Sequence, residues 1–112
     1  MIPLSRREEQ VLLSIWNLKD GAYLISIKKH LSILTDTAWS LSAVQKPLLQ
    51  LERKGYITTY MGDASARRGG RRKKMCQITK QGVEALKTLK SEQDVLWKTF
   101  LNIELNGEIS IR

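Results

Sequence analysis

The hydrophobic period of the chain changes at Gly55, and this change restricts the folds that the sequence can adopt. Before Gly55, apolar residues recur at intervals of three and four, which is the spacing of amphipathic α-helices. After Gly55, residues 56–62 are rich in β-branched and aromatic side chains, and residues 73–79 form a second strand-like segment. A polar Gly-Gly segment between the two predicts a turn. We therefore expect a mainly α-helical domain that carries a small β-hairpin.

Three helices are predicted before the hairpin. The first covers residues 5–18, where Ser5 and Glu8 have capping-box spacing. The second covers residues 22–34, and the third covers residues 40–54, with Ser40 as its N-cap and Gly55 after its end. The apolar stripes of the second and third helices predict a core that contains Leu24, Ile27, Leu31, Leu34, Leu41, Val44, Leu48 and Leu51. Trp16 and Trp39 are also expected in the core.

Length and composition exclude several classes of protein. A chain of 112 residues fits one compact domain, and it contains no apolar stretch of the ~20 residues that a bilayer span needs. One cysteine and one histidine, Cys76 and His30, cannot form a disulfide or a Cys/His zinc site within one chain. His30 lies beside the apolar stripe of the second helix, and we expect a solvent-edge or hydrogen-bonded side chain rather than a ligand. We expect a cytoplasmic protein without a metal, a cofactor or a membrane partner.

Positive charge is concentrated in one short segment. Lys and Arg number 19 and Asp and Glu 11, which gives a net charge of +8. Residues 63–80 hold seven basic groups and one acidic group, a net of +6. We favour a polyanionic partner for this cationic hairpin tip, because phosphate neutralisation supplies much of the affinity for nucleic acid. The alternative is a solvated loop whose charge only aids solubility. The basic residues of this tip are Arg67, Arg68, Arg71, Arg72, Lys73 and Lys74.

The last predicted helix, residues 80–105 with Thr79 as its N-cap, carries an apolar seam. Its members follow the 3-4 spacing of a coiled coil, and they are Leu86, Leu89, Gln93, Leu96, Phe100 and Ile103. The seam is short, and we favour dimerisation through it over packing on the chain's own core. Trp97 flanks the seam and is either an interface residue or a contact for a small effector. Residues 106–112 are predicted to be a flexible tail.

Three helices followed by a basic hairpin form the layout of a winged helix-turn-helix. In that fold the third helix lies in the major groove of double-stranded DNA. The predicted DNA-binding domain is residues 1–79, with a recognition helix at about 40–54 and a wing at about 56–79. The recognition residues would be Ser42, Gln45, Lys46 and Gln50, and the basic wing would contact phosphates or the minor groove.

The same segments resemble the PadR family of bacterial transcriptional regulators, over about residues 5–100. The resemblance lies in Leu48, Leu51, Glu52, Gly55 and Ile57, in the wing residues 69–73, and in Ile78, Thr79 and Gly82. It implies a homodimer joined by C-terminal helices, repression of transcription, and relief by small aromatic or apolar compounds. The chain departs from the family pattern, which usually has tyrosine at the position of Gln45, proline near position 46 rather than 47, and a His-Gly-Tyr triplet near residues 20–23.

An adaptor and an enzyme are the alternatives to a DNA-binding regulator. A winged-helix adaptor would use the basic hairpin on an acidic protein, and it would not shift a random DNA duplex at low salt. An enzyme is the least expected class, since the sequence contains no Gly-rich phosphate loop, metal-ligand cluster or paired catalytic carboxylates. We therefore assign no catalytic residues.

Overall fold

The computed structural model describes residues 2–62 and 72–105, the last three of these by their backbone alone. Within these residues, four α-helices and two β-strands follow the predicted order, with a short 3₁₀ turn after the first helix. Their bounds are α1 (Arg6–Leu18), the 3₁₀ turn (Lys19–Gly21), α2 (Leu24–Thr35), α3 (Leu41–Arg53), β1 (Ile57–Met61), β2 (Lys74–Ile78) and α4 (Lys80–Leu105). The expectation of a mainly α-helical fold with a small hairpin is confirmed.

The predicted helix caps are present. Ser5 and Glu8 form a capping box, in which each side chain accepts a hydrogen bond from the other residue's backbone N–H, at 3.2 Å and 2.7 Å. The Ser40 hydroxyl accepts a hydrogen bond from the backbone N–H of Ala43 at 3.1 Å. Thr79 caps α4 in the same way, since its hydroxyl accepts from the N–H of Gly82 at 3.0 Å. These local hydrogen bonds set the starts of three helices.

The start of α2 differs from the prediction. Ala22 and Tyr23 are extended, and α2 begins at Leu24. The carbonyl of Ala22 accepts a hydrogen bond from the N–H of Cys76 at 2.8 Å, and Tyr23 forms an isolated antiparallel bridge with Met75. Because these two residues pair with β2, they cannot take helical backbone angles.

The core lies between α1, α2, α3, the hairpin and the first turns of α4. It includes Val11, Leu12, Ile15, Ala22, Ile27, Leu31, Trp39, Val44, Leu51, Tyr56, Ile57, Cys76 and Ala85. Trp39 is 7 % exposed, so its expected place in the core is confirmed. The adjoining strands are antiparallel, with Ile57 opposite Ile78 and Met61 opposite Lys74.

Three residues that were expected in the core are not there. Trp16 is 47 % exposed because it lies at the rim of the buried arc of α1, and the Lys19 ammonium covers its ring at 3.7 Å. Leu34 and Leu41 are 65 % and 46 % exposed. Each lies in a terminal turn, Leu34 at the end of α2 and Leu41 at the start of α3, beyond the turns that pack against neighbouring helices.

The junction between α3 and α4 is tightly built. Gly55 has a positive φ of 78°, which allows the chain to turn from α3 into β1. The Thr79 hydroxyl donates a hydrogen bond to the Gly55 carbonyl at 2.7 Å, and the Thr79 N–H donates to the Tyr56 carbonyl at 3.0 Å. Thus α4 begins against the same backbone that leaves α3.

One partly buried ion pair joins α1 to the end of α3. The Lys54 ammonium lies 2.7 Å from the Glu8 carboxylate and donates to the Pro3 carbonyl at 2.8 Å. Burial opposes ionisation of Glu8, but the hydrogen bonds from Lys54 and Ser5 outweigh it and lower the pKa of the Glu8 carboxyl. A lowered pKa in the folded state stabilises the protein above the unfolded pKa, and this stabilisation is lost as the pH falls through the folded value.

We expect Glu8→Gln to lower the free energy of unfolding by about 2 kcal/mol at neutral pH. The loss is smaller than the ~3–5 kcal/mol typical of breaking a fully buried pair. The reason is that the Lys54 ammonium still donates to the Pro3 carbonyl in the variant, and its side chain is 19 % exposed to water. Urea unfolding at pH 7 and in the acid range measures this, and the difference between the proteins should shrink toward acid pH. Glu9→Gln is the control, since Glu9 forms no ion pair within the described residues. An equal loss in both variants would contradict the assignment.

Candidate nucleic-acid interface

The predicted recognition residues share the outer side of α3. Val44 and Leu51 fix the opposite side of the helix in the core. Ser42, Gln45 and Lys46 are exposed, and Gln50 is half-buried. The helix is continuous from Leu41 to Arg53 and includes a buried Pro47. These four polar side chains therefore lie on the side of α3 that is open to a partner.

The hairpin presents basic side chains at the base of the predicted wing. Arg72, Lys73 and Lys74 are exposed. The Lys73 ammonium lies 4.3 Å from the ring centroid of Tyr23 and 3.3 Å from its hydroxyl, so it is held against the start of α2. Arg67, Arg68 and Arg71 lie outside the described residues.

A groove of about 160 Å³ joins α3 to the hairpin. Gln45, Leu49 and Glu52 line it from α3, and Thr59 and Lys74 line it from the strands. The Thr59 hydroxyl donates a hydrogen bond to the Glu52 carboxylate at 2.8 Å, which ties β1 to α3. The outer side of α3 and the hairpin are therefore neighbours on one flank of the molecule, as a shared surface requires.

Sequence reasoning missed a second cavity, which lies between α3 and α1 on the flank of α3 away from the hairpin. It has a volume of about 480 Å³, and Ser42, Lys46 and Gln50 line it together with Arg7 from α1. Only the adjacent basic residues Arg6 and Arg7, directly after the Ser5 cap, could have signalled this contribution from the sequence. The four recognition residues thus divide between two cavities, with Gln45 beside the hairpin and the other three beside α1.

The surroundings of Cys76 and His30 indicate structural rather than chemical roles for the two side chains. Burial raises the pKa of the Cys76 thiol, which disfavours the nucleophilic thiolate. His30 Nδ1 and the buried Ser14 hydroxyl are hydrogen-bonded at 2.8 Å, so the expectation of a satisfied histidine is confirmed. Within residues 2–62 and 72–105, no group of three or more His, Cys, Asp or Glu side chains could hold a metal ion. Over the same ranges, no helix has both the length and the apolarity to cross a membrane.

The predicted seam of α4 changes character along the helix. Leu86, Leu89 and Gln93 are half-buried, whereas Leu96 and Phe100 are exposed. The side chain of Ile103 lies outside the described residues. Trp97 packs edge-on against Phe100, with ring centroids 5.8 Å apart at 89°, and these two rings and Leu96 line a concavity of about 250 Å³. The second half of α4 therefore presents an apolar surface.

The fold is similar to that of several solved regulators. A PadR-like transcriptional regulator from Bacillus cereus superposes with a TM-score of 0.69 at 23 % identity, over 86 % of this chain and 88 % of that one. The chain has the winged-helix fold of PadR-like transcriptional regulators. A transcriptional regulator from Clostridium thermocellum gives a TM-score of 0.68 at 24 % identity, over 85 % of this chain and 87 % of that one. The structural resemblance expected from the sequence is confirmed.

A more distant similarity involves a protein bound to DNA. The S. aureus MepR–DNA complex superposes with a TM-score of 0.61 at 21 % identity, over 88 % of this chain and 63 % of that chain. No protein-family model matches the sequence, and no curated protein does. At these identities the comparisons establish the fold.

Proposed function

We propose that the protein is a dimeric DNA-binding transcriptional repressor. The observation that carries the proposal is the groove between α3 and the hairpin, where Gln45 and Lys74 line one surface. The groove places Gln45, on the polar face of α3, beside the basic strand residue Lys74, and Arg72 and Lys73 are exposed next to Lys74. A polar helix face and a basic hairpin are the two features that a winged helix uses on a duplex. The names of the structural neighbours, which include regulators and a protein–DNA complex, support the same function.

The residues of α3 have the chemistry for contacts in the major groove. A groove ~12 Å wide admits an α-helix. The Gln45 amide can donate to and accept from an adenine edge, and the Lys46 ammonium can donate to guanine or to a phosphate. The wing cations, Arg67, Arg68 and Arg71 to Lys74, would neutralise phosphates or enter a narrow minor groove. The polar face would supply sequence preference, and the cations would supply salt-dependent affinity.

The exposed half of α4 supports dimerisation. Leu96, Trp97 and Phe100 form an apolar concavity on an exposed helix, and a second α4 would cover it. Two recognition helices in such a dimer would read two half-sites about one DNA turn apart. Trp97 would either pack in this interface or contact a small aromatic or apolar effector, which would bind where the two copies meet and change the distance between the two recognition helices.

Salt dependence of DNA binding tests the proposal. We expect the logarithm of the association constant for a random duplex to fall steeply and linearly with the logarithm of the salt concentration. Replacing both Arg71 and Arg72 with glutamine should reduce that slope by about two, since each lost phosphate contact removes about one unit. Fluorescence anisotropy with a labelled duplex measures both slopes.

Lys87→Gln with Lys98→Gln is the matched control. It removes the same charge from exposed positions on α4, opposite the seam, and the slope should not change. If the natural sequence binds a random duplex weakly and without salt dependence, the proposal is wrong, and the adaptor with an acidic protein partner becomes the better explanation.

A further inference from the structure

We infer that the start of α1 forms a second phosphate-binding element, made of Arg6 and Arg7 together with Lys46 of α3. We call these three residues the α1–α3 cluster. Its proposed ligand is the DNA backbone strand on the side of α3 that lies away from the wing. The inference rests on the proposed function and adds a separate surface to it.

Two adjoining cavities place the cluster beside the first turns of α3. Arg7 lines both of them, each with a volume of about 480 Å³. It lines the first cavity together with Ser42 and Lys46, and the second together with Arg6 and Ser40. The basic side chains of α1 therefore border the same residues of α3 that are proposed to face DNA.

The position of Arg7 is fixed by a buried tryptophan. The guanidinium carbon of Arg7 lies 4.7 Å from the ring centroid of Trp39, which is a cation–π contact. Trp39 is held in turn, because its indole N–H donates to the Thr35 hydroxyl at 3.0 Å and its backbone N–H donates to the Ser32 hydroxyl at 3.2 Å. An arginine that is ordered before binding loses less entropy when it contacts a phosphate.

The charge of the cluster is not neutralised by the rest of the described chain. Within residues 2–62 and 72–105, the ion pairs are Lys54 with Glu8 and Lys90 with Asp94. Glu8, the carboxylate that lines the first cavity, is therefore already paired with Lys54. Arg6, Arg7 and Lys46 contribute three positive charges without an acidic partner in that part of the chain.

Helix stability does not account for the two arginines. Arg6 and Arg7 occupy the first turn of α1, where the helix dipole disfavours positive charge. Residues that break a local rule are expected at functional positions. Replacing both arginines with neutral residues removes the unfavourable interaction with the helix dipole and also the cation–π contact of Arg7 with Trp39, two small effects of opposite sign on stability. The fold should therefore survive the substitutions, which makes the inference testable.

The arrangement matches the geometry of a helix in the major groove. A helix that lies in this groove has a phosphate backbone on each side. The hairpin, with Lys74, flanks α3 at Gln45 and would serve one strand. The cluster flanks α3 at Ser42 and Lys46 and would serve the other. This arrangement favours duplex phosphates over a free anion as the ligand.

The test compares a double variant, which carries both Arg6→Gln and Arg7→Gln, with the natural sequence. We expect affinity for a random duplex to fall about tenfold at moderate salt, as for the loss of charge-assisted contacts, and the salt slope to fall by about two. Phosphate ethylation interference on a duplex selected for binding should lose signals on one strand flanking the half-site. The Lys87→Gln, Lys98→Gln protein is the charge-matched control.

Arg6→Gln alone is the second variant, because it removes cluster charge without touching the Trp39 contact of Arg7. It should reduce the slope by about one even if the double variant folds poorly. If both variants keep the salt slope and the ethylation pattern of the natural sequence, the cluster does not bind phosphate. DNA binding itself is still supported in that case if the Arg71→Gln, Arg72→Gln variant shows its reduced slope. Weak, salt-independent binding by the natural sequence would overturn the proposed function and the cluster together.

Discussion

Replacing Leu96 with glutamate is expected to convert the protein to a monomer and to weaken its binding to a two-fold symmetric operator by about 10²–10⁴-fold. Leu96 is 70 % exposed on the outer half of α4, in the concavity that it forms with Trp97 and Phe100. In the proposed dimer this side chain is covered by the partner helix, where an unpaired carboxylate would be costly. A monomer would bind each half-site separately and lose the gain from linked binding.

Sedimentation equilibrium measures the first effect, and anisotropy with a duplex selected from a random library measures the second. Ser91→Glu is the matched control, because it introduces the same charge at an exposed position on the opposite side of α4. We expect this control to dimerise and to bind DNA as the natural sequence does. A dimer that survives Leu96→Glu would show that the second half of α4 is not the interface.

Gly82→Ala is expected to destabilise the fold by about 3 kcal/mol, the upper end of typical overpacking costs. A Cβ at this position would overlap the carbonyl oxygen of Tyr56 and lie 2.8 Å from Cγ1 of Ile78. The obstructing oxygen belongs to the backbone that also accepts a hydrogen bond from Thr79, so it cannot move away by a change of rotamer. The first turn of α4 would have to shift away from the hairpin.

Thermal and urea unfolding measure this loss. Gly21→Ala is the control, since no atom lies within 4 Å of a Cβ at that position and its φ is not positive. We expect Gly21→Ala to leave stability unchanged or to raise it slightly through the unfolded state. Equal stability of the two variants would mean that α4 does not approach Tyr56 as closely as the structure indicates.

The sequence predicted the features of the fold that depend on neighbouring residues. Ser5, Ser40 and Thr79 cap helices because a side-chain oxygen reaches an N–H only three residues away. Gly55 ends α3 because its positive φ suits glycine. Such signals lie within a few residues of one another, so they can be identified without knowledge of the tertiary contacts.

The features that the sequence did not predict depend on residues far apart in the chain. Ala22 lies next to a helical stripe, yet its backbone pairs with Cys76 of β2 instead of continuing that helix. Leu34 matches the period of the stripe but lies where α2 has passed the end of the core. Periodicity gives the face of a residue on its helix, but it does not show where neighbouring elements end.

Some residues of the candidate site could be predicted from local sequence, whereas others depend on contacts between distant segments. The outward placement of Ser42, Gln45 and Lys46 follows from helical periodicity in α3. The contribution of Arg7 depends on Trp39 and on the packing of α1 against α3, which the spacing of residues within either helix does not encode. Most of the hairpin tip, with Arg67, Arg68 and Arg71, lies outside the described residues, and its role remains a prediction.

The hydrogen bonds of Thr79 to Gly55 and Tyr56 have a mechanical consequence. They anchor the start of α4 to the backbone between α3 and β1, so a tilt of α4 would be passed to the end of the recognition helix. With 26 residues, α4 is a lever of about 39 Å. In the proposed dimer, a tilt of α4 by about 5° would displace the far end of the helix by about 3 Å. This displacement is comparable to the rise of one base pair. A small rearrangement between the C-terminal ends of the two α4 helices would therefore change the distance between the two recognition helices.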